Sequence, residues 1–208
     1  MVFQQLIEKS PNQPQGYDGY ARLTHHLADL NLALSRWENA LEKFPENIGF
    51  QAIKGNVLIT LSRFYEAEAV FQRLIEKFPN RPQGYEGYAR VANSLANWEL
   101  ALEHWENALE KFPENIGFQA SKGNVLITLS RFDEAEVVFQ RLIEKFPNKP
   151  QGYDGYARVA NSFVNWELAL ERWENAINQL PHNFNFYVQK GNALINLFRY
   201  REAETLFE

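Results

Sequence analysis

The chain of 208 residues has no cysteine. That absence excludes disulfides and thiolate metal ligands, and it suits a reducing compartment, with a cytoplasmic location as the default expectation. A basic excess is also missing: 21 lysines and arginines stand against 26 aspartates and glutamates, a formal net charge of −5. Phosphate-backbone binding needs the opposite balance, so no nucleic acid partner is expected. No apolar run reaches the length of a bilayer span, and Met1 leads directly into Val2-Phe3-Gln4-Gln5-Leu6-Ile7, without the segments of a targeting signal. No membrane partner is expected either. The four histidines, His25, His26, His104 and His182, include no pair at the four-residue spacing of a helical metal site. His25 and His26 are adjacent and face different ways on a helix. Gly55-Asn56, Gly123-Asn124 and Gly191-Asn192 lack the strand and lysine of a phosphate loop. With no nucleophile–base set or split carboxylate pair, the expectation is a non-enzyme with no metal and no cofactor.

What the sequence does have is repetition. The ten residues from Phe71 to Asn80 return unchanged from Phe139 to Asn148, and slightly altered they stand first from Phe3 to Asn12, a spacing of 68. The first two of these long units are identical at roughly three-quarters of positions, which implies recent duplication or design-like copying. A shorter period lies inside, because Pro11, Pro45, Pro79, Pro113, Pro147 and Pro181 fall 34 residues apart. Each proline removes an amide donor and disfavours helix in the residue before it, so each closes a helix. Between prolines, apolar residues recur at three- and four-residue steps, as in Trp98, Ala101, Leu102, Trp105, Ala108 and Leu109. Breaks near Asp29–Leu30, Arg63–Phe64, Asn97–Trp98 and Arg131–Phe132 divide each 34-residue unit into two helices.

A period of 34 with these residue types resembles the tetratricopeptide repeat family. Counting from Pro14, Ile48, Pro82, Ile116, Pro150 and Phe184, the small eighth position is Ala21, Gly55, Ala89, Gly123, Ala157 and Gly191. The twentieth is always alanine, at Ala33, Ala67, Ala101, Ala135, Ala169 and Ala203, where a larger side chain would hold paired helices apart. The bulky twenty-fourth is Trp37, Phe71, Trp105, Phe139, Trp173 and Phe207. The resemblance implies an all-α, right-handed superhelical solenoid of antiparallel helix pairs, grouped as 68-residue double repeats. Its expected organisation is a single array: a partial second helix over 1–13, repeats over 14–47, 48–81, 82–115, 116–149 and 150–183, and a truncated repeat over 184–208. Odd and even repeats differ, since the fourth and seventh positions hold Tyr17 and Tyr20 in one and Gln51 and Lys54 in the next. Phe50, Ile53 and Phe118 are expected to supply the missing packing from a slightly rotated register. Neither end reads as a polar cap, so the expectation is a piece of a longer array, prone to end-to-end self-association.

In the family this chain resembles, the first helices line a groove that holds a peptide or a partner helix. The ninth position then forms a ladder of Arg22, Asn56, Arg90, Asn124, Arg158 and Asn192, and the fifth adds Asp18, Glu86 and Asp154. Guanidinium forks and carboxamides suit peptide carbonyls and carboxylates, which points to an acidic peptide. Two readings stay open: ligand contact, or arginines paired along their own helices with the acids four residues earlier. The family's chaperone-tail clamp is not matched, because Lys54, Lys122 and Lys190 fall at the seventh position rather than the fifth. Glycines of the Gly-Tyr-x-Gly-Tyr-Ala-Arg segment, such as Gly84 and Gly87, cost a helix about 1 kcal/mol each and call for a close contact, either a neighbouring helix or a ligand. The resemblance implies a non-catalytic protein–protein interaction scaffold. Two alternatives remain: an accessory segment of a larger bacterial enzyme, such as a glycosyltransferase or sulfotransferase, or a purely structural or designed self-associating spacer.

Overall fold

In the computed structural model of the chain, the described residues are 2–26 and 29–206, the side chains of 24–26 excepted. Phe207 and the side chains of His25 and His26 therefore lie outside the described residues. Those residues form helices and no strand: α1 (Val2–Lys9), α2 (Pro14–His26), α3 (Leu30–Lys43), α4 (Ile48–Thr60), α5 (Phe64–Lys77), α6 (Pro82–Ser94) and α7 (Trp98–Lys111) come first. Then follow α8 (Ile116–Thr128), α9 (Phe132–Lys145), α10 (Pro150–Ser162), α11 (Trp166–Gln179), α12 (Phe184–Asn196) and α13 (Tyr200–Thr205). They group into two compact units, Met1–His104 and Trp105–Glu208. In the first unit each of α1 to α6 packs on the next and α4 also touches α6; in the second, α8 to α13 do the same and α8 touches α10.

Every first helix begins at the residue that the repeat count selects, by two alternating devices. Asn47 and Asn115 accept a hydrogen bond from the amides of Phe50 and Phe118 at 3.1 Å, satisfying a donor that the helix itself leaves free. Pro82 and Pro150 instead occupy the first helical turn, where a missing amide costs nothing. The second helices end at Phe44, Phe78 and Phe146, whose backbones leave the helical region because a proline follows each.

Within each hairpin a tight turn sits at the break that the sequence marks. The amide of Arg63 bonds the carbonyl of Leu58 and that of Ser62 bonds Ile59, both at 2.9 Å. This is the paired C-terminal motif that places one residue in the left-handed region. Ser62, Ala96, Ser130, Val164 and Phe198 all hold that place, with φ between 54° and 61°. None of them is glycine. The next residue completes this motif, and where it is asparagine it also caps the following helix: Asn165 bonds Ala160 through its amide while its side chain accepts from Leu168.

The core of each unit is built on the repeated bulky positions. Ala33, Ala67, Ala101, Ala135 and Ala169 are completely buried, as the twentieth position requires. Trp37 lies 5.2 Å from Phe50 and Trp105 lies 5.4 Å from Phe118, which places the expected replacement aromatics of the even repeats in the core. Lys54 and Lys122, at the seventh position, ion-pair with Glu38 at 2.9 Å and Glu106 at 2.8 Å. The helical glycines settle the choice between neighbour and ligand in favour of the neighbour. Cβ atoms on Gly55 and Gly87 would lie 2.4 and 2.0 Å from the Phe71 ring, so this one side chain fills the gap between bare backbones of α4 and α6. Phe139 does the same between Gly123 and Gly155. A Cβ on Gly84 would meet the backbone nitrogen of Ile75 at 2.9 Å.

Candidate functional site

Three of the ladder residues converge in the first unit. Arg22 on α2, Asn56 on α4 and Arg90 on α6 line one cleft of about 350 Å³, together with Trp37, Ile53, Val57 and Thr60. Their registration follows from the repeat: each occupies the same turn of a first helix, 34 residues from the next, so stacking those helices aligns them.

Pairing along the arginine's own helix holds for some members of the ladder and not for others. Arg22 is held along its own helix, its Nε donating to Asp18 at 2.8 and 2.9 Å. Arg90 reaches instead to the neighbouring repeat, where its Nη1 donates to the Asn56 carboxamide oxygen at 3.1 Å. Glu86 stands exposed on α6. In the second unit Arg158 makes both contacts, to Asn124 at 3.2 Å and to Asp154 at 3.5 Å. Asn192 is exposed on α12. The arginines themselves are exposed, and a guanidinium carries five donors, so each retains donors beyond those used here.

Among the residues lining the first-unit cleft there are two guanidinium groups and no carboxylate. Trp37 also lines the cleft; it is 1% exposed, and its indole Nε1–H is closed to solvent and has no acceptor. Trp105 and Trp173 repeat this feature.

A second set of polar residues escaped sequence reasoning. The guanidinium carbon of Arg36 sits 3.5 Å from the centroid of the Tyr20 ring, and its Nη1 donates to the Tyr20 carbonyl at 2.8 Å. Arg172 treats Tyr156 in the same way, at 3.7 Å from the ring and 2.8 Å from the carbonyl. It is also ion-paired with Glu136. At the corresponding position His104 replaces the arginine and stacks on Tyr88, with ring centroids 4.2 Å apart. Burial pushes the His104 imidazole below the ordinary histidine range, although a backbone hydrogen bond at Tyr88 and the charges of Glu103 and Glu68 oppose this. Burial also raises the Tyr88 phenol, with help from Glu68. The available signal was an arginine or histidine sixteen residues after each Tyr of the seventh position, a spacing that links a first helix to its partner.

Among the described residues no helix is long and apolar enough to cross a membrane, and no group of three or more His, Asp or Glu side chains could hold a metal ion.

Comparison with known proteins bears on the fold. The family model of the tetratricopeptide repeat matches residues 27–82 and 87–150. No curated protein matches the sequence. Among solved structures, the chain is similar to TTC0263, a thermophilic TPR protein of Thermus thermophilus. The TM-score is 0.69 at 19% identity, over 88% of this chain and 100% of that one. It is similar to yeast Tom70, with a TM-score of 0.75 at 18% identity, over 96% of this chain and 43% of the other. It is also similar to YrrB, described as a TPR protein with an unusual peptide-binding site, with a TM-score of 0.55 at 22% identity, over 91% of this chain and 98% of that one.

Proposed function

The chain belongs to the tetratricopeptide repeat family, whose fold serves as a protein–protein interaction scaffold, and from that premise we propose that it is a non-catalytic peptide-binding module. Its site is the cleft lined by Arg22, Asn56 and Arg90, and its ligand is an extended peptide bearing a carboxylate, as a side chain or a terminus. One observation carries this reading: the cleft gathers two guanidinium groups and a carboxamide, with no acid among its lining residues. Such a set offers donors in several directions and favours a partner rich in acceptors. Arg158 with Asn124, and Asn192, would offer the same kind of recognition within the second unit. A cysteine-free chain suits the cytoplasm as the place where the two meet. YrrB, with its peptide-binding site, supports the reading by analogy of fold alone.

Fluorescence anisotropy of a labelled glutamate-rich peptide against its glutamine counterpart tests it. The acidic peptide should bind more tightly, and Arg90→Ala should weaken it by about tenfold or more, the loss expected for a charged hydrogen bond. Equal binding of both peptides, or binding unchanged when Arg22 and Arg90 are both alanine, would overturn the assignment.

A further inference from the structure

The cleft that holds Arg22, Asn56 and Arg90 has an apolar side as well as a cationic one. Trp37 and Val57 are each 1% exposed and belong to the core, whereas Ile53 is half-buried and offers the rest of its surface to the cleft. An internal copy separates what the fold needs here from what it does not. The stretch from Trp37 to Asn80 and its copy from Trp105 to Asn148 differ only at Ile53 and Ser121, Tyr65 and Asp133, and Ala69 and Val137. Of the first member of each pair, only Ile53 lines the cleft. The serine copy folds alike: Trp105 packs on Phe118 as Trp37 does on Phe50, and Lys122 pairs with Glu106 as Lys54 does with Glu38. Arg158 reaches Asn124 as Arg90 reaches Asn56. The third copy carries Gln189 at this place. An aliphatic side chain is therefore not a demand of the hairpin; it is particular to the first-unit cleft.

Its position gives it a register against the polar groups. Ile53 precedes Asn56 by three residues on α4, so the two stand one turn apart on one face, with Cβ atoms roughly 5–6 Å apart. In an extended peptide, adjacent side chains point to opposite sides, while those two residues apart share a side and lie roughly 6–7 Å from each other. A peptide running along α4 with its carboxylate at Arg90 and Asn56 thus brings the side chain two residues away over Ile53. An aliphatic group there leaves water together with the exposed part of Ile53, whereas a polar group gains nothing from that contact. We propose, resting on the peptide reading of this cleft, that Ile53 is its specificity-determining residue. It makes the first unit select an acidic residue with an aliphatic residue two positions away, and Ser121 leaves the second unit without that preference.

Fluorescence anisotropy with the full chain, carrying Arg158→Ala to silence the second unit, tests this with labelled glycine-serine peptides that each contain one glutamate. One has leucine two residues from the glutamate on both sides, one has serine there, and one has leucine at the adjacent positions instead. The first should bind about fivefold more tightly than the serine peptide, the gain expected from partial burial of one aliphatic side chain. The adjacent-leucine peptide should bind like the serine peptide. Ile53→Ser and Ile53→Gln, which bring in the residue types that the other copies tolerate, should abolish the difference and leave the serine peptide's affinity unchanged, whereas Arg90→Ala should weaken all three peptides. Glutamate peptides that bind without distinguishing leucine from serine, an equal gain from adjacent leucine, or a leucine preference that survives Ile53→Ser would overturn the role of Ile53 and leave the peptide site standing. Absence of binding by all three peptides would overturn both.

Discussion

Replacing Gly87 by alanine places a methyl group where no room exists, and the outcome measures how tightly the repeats interlock. The new Cβ would lie 2.0 Å from Cε1 and 2.1 Å from Cδ1 of Phe71. The ring cannot retreat, because on its other side a Cβ built at Gly55 already lies 2.4 Å from Cζ, and Phe71 is 1% exposed. Overpacking costs about 1–3 kcal/mol, and this blocked geometry belongs at the upper end. Alanine returns about 1 kcal/mol of helix propensity, so Gly87→Ala should lose about 2 kcal/mol net. Urea denaturation followed by far-UV circular dichroism would read the loss. Gly49→Ala is the control, since its Cβ meets only the Asn47 cap oxygen at 3.3 Å and should be nearly neutral. Adding Phe71→Leu to Gly87→Ala should recover stability, with a coupling energy of about 1 kcal/mol or more. A Gly87→Ala chain at least as stable as the parent, or strict additivity with Phe71→Leu, would refute the interlock.

Other positions give sharper chemical signatures. His104 has a folded-state pKa below its unfolded value of about 6.5, so its neutral form stabilises fully above that value and the contribution is lost as pH falls through the folded pKa. His104→Arg, copying Arg172 over its tyrosine with Glu68 in the place of Glu136, should raise the unfolding midpoint and flatten its decline on acidification; an unchanged pH profile would contradict this. Val164, β-branched and held at φ 61°, should be improved by Val164→Gly by about 1 kcal/mol, read as a higher urea midpoint. Arg22→Ala removes only an exposed ion pair and should change stability by no more than about 0.5 kcal/mol, so any lost peptide affinity reports binding and not unfolding.

The periodicity of the prolines and of the alanines at the twentieth position was enough to place every first helix at its observed start, because those signals act within one repeat. Phe50 and Phe118 were legible for the same reason: they stand one residue from the vacant aromatic position. The intra-hairpin break was legible too, but its left-handed residue was not, since Ser62, Ala96 and Val164 carry none of the glycine that this conformation favours. For the cleft, sequence spacing brought Arg22, Asn56 and Arg90 to one line but could not divide their hydrogen bonds, which depend on side-chain reach between neighbouring helices. Arg172 and Glu136 lie 36 residues apart on α11 and α9, and the buried pair that they form emerges only once those helices flank α10.

The phenylalanine wedge also sets a rule for how such a chain can grow. Phe71 needs glycine on both flanking first helices, whereas Trp37, at the equivalent place, shares its core with Ala21 and Ile53. Inserting or deleting 34 residues would therefore bring a ring against a side chain that has no counterpart there, while a step of 68 restores every partner. Recombination between copies is steric bookkeeping in even numbers: unequal crossing-over yields a foldable product only when it exchanges hairpins in pairs, and an engineer lengthening the protein faces the same parity.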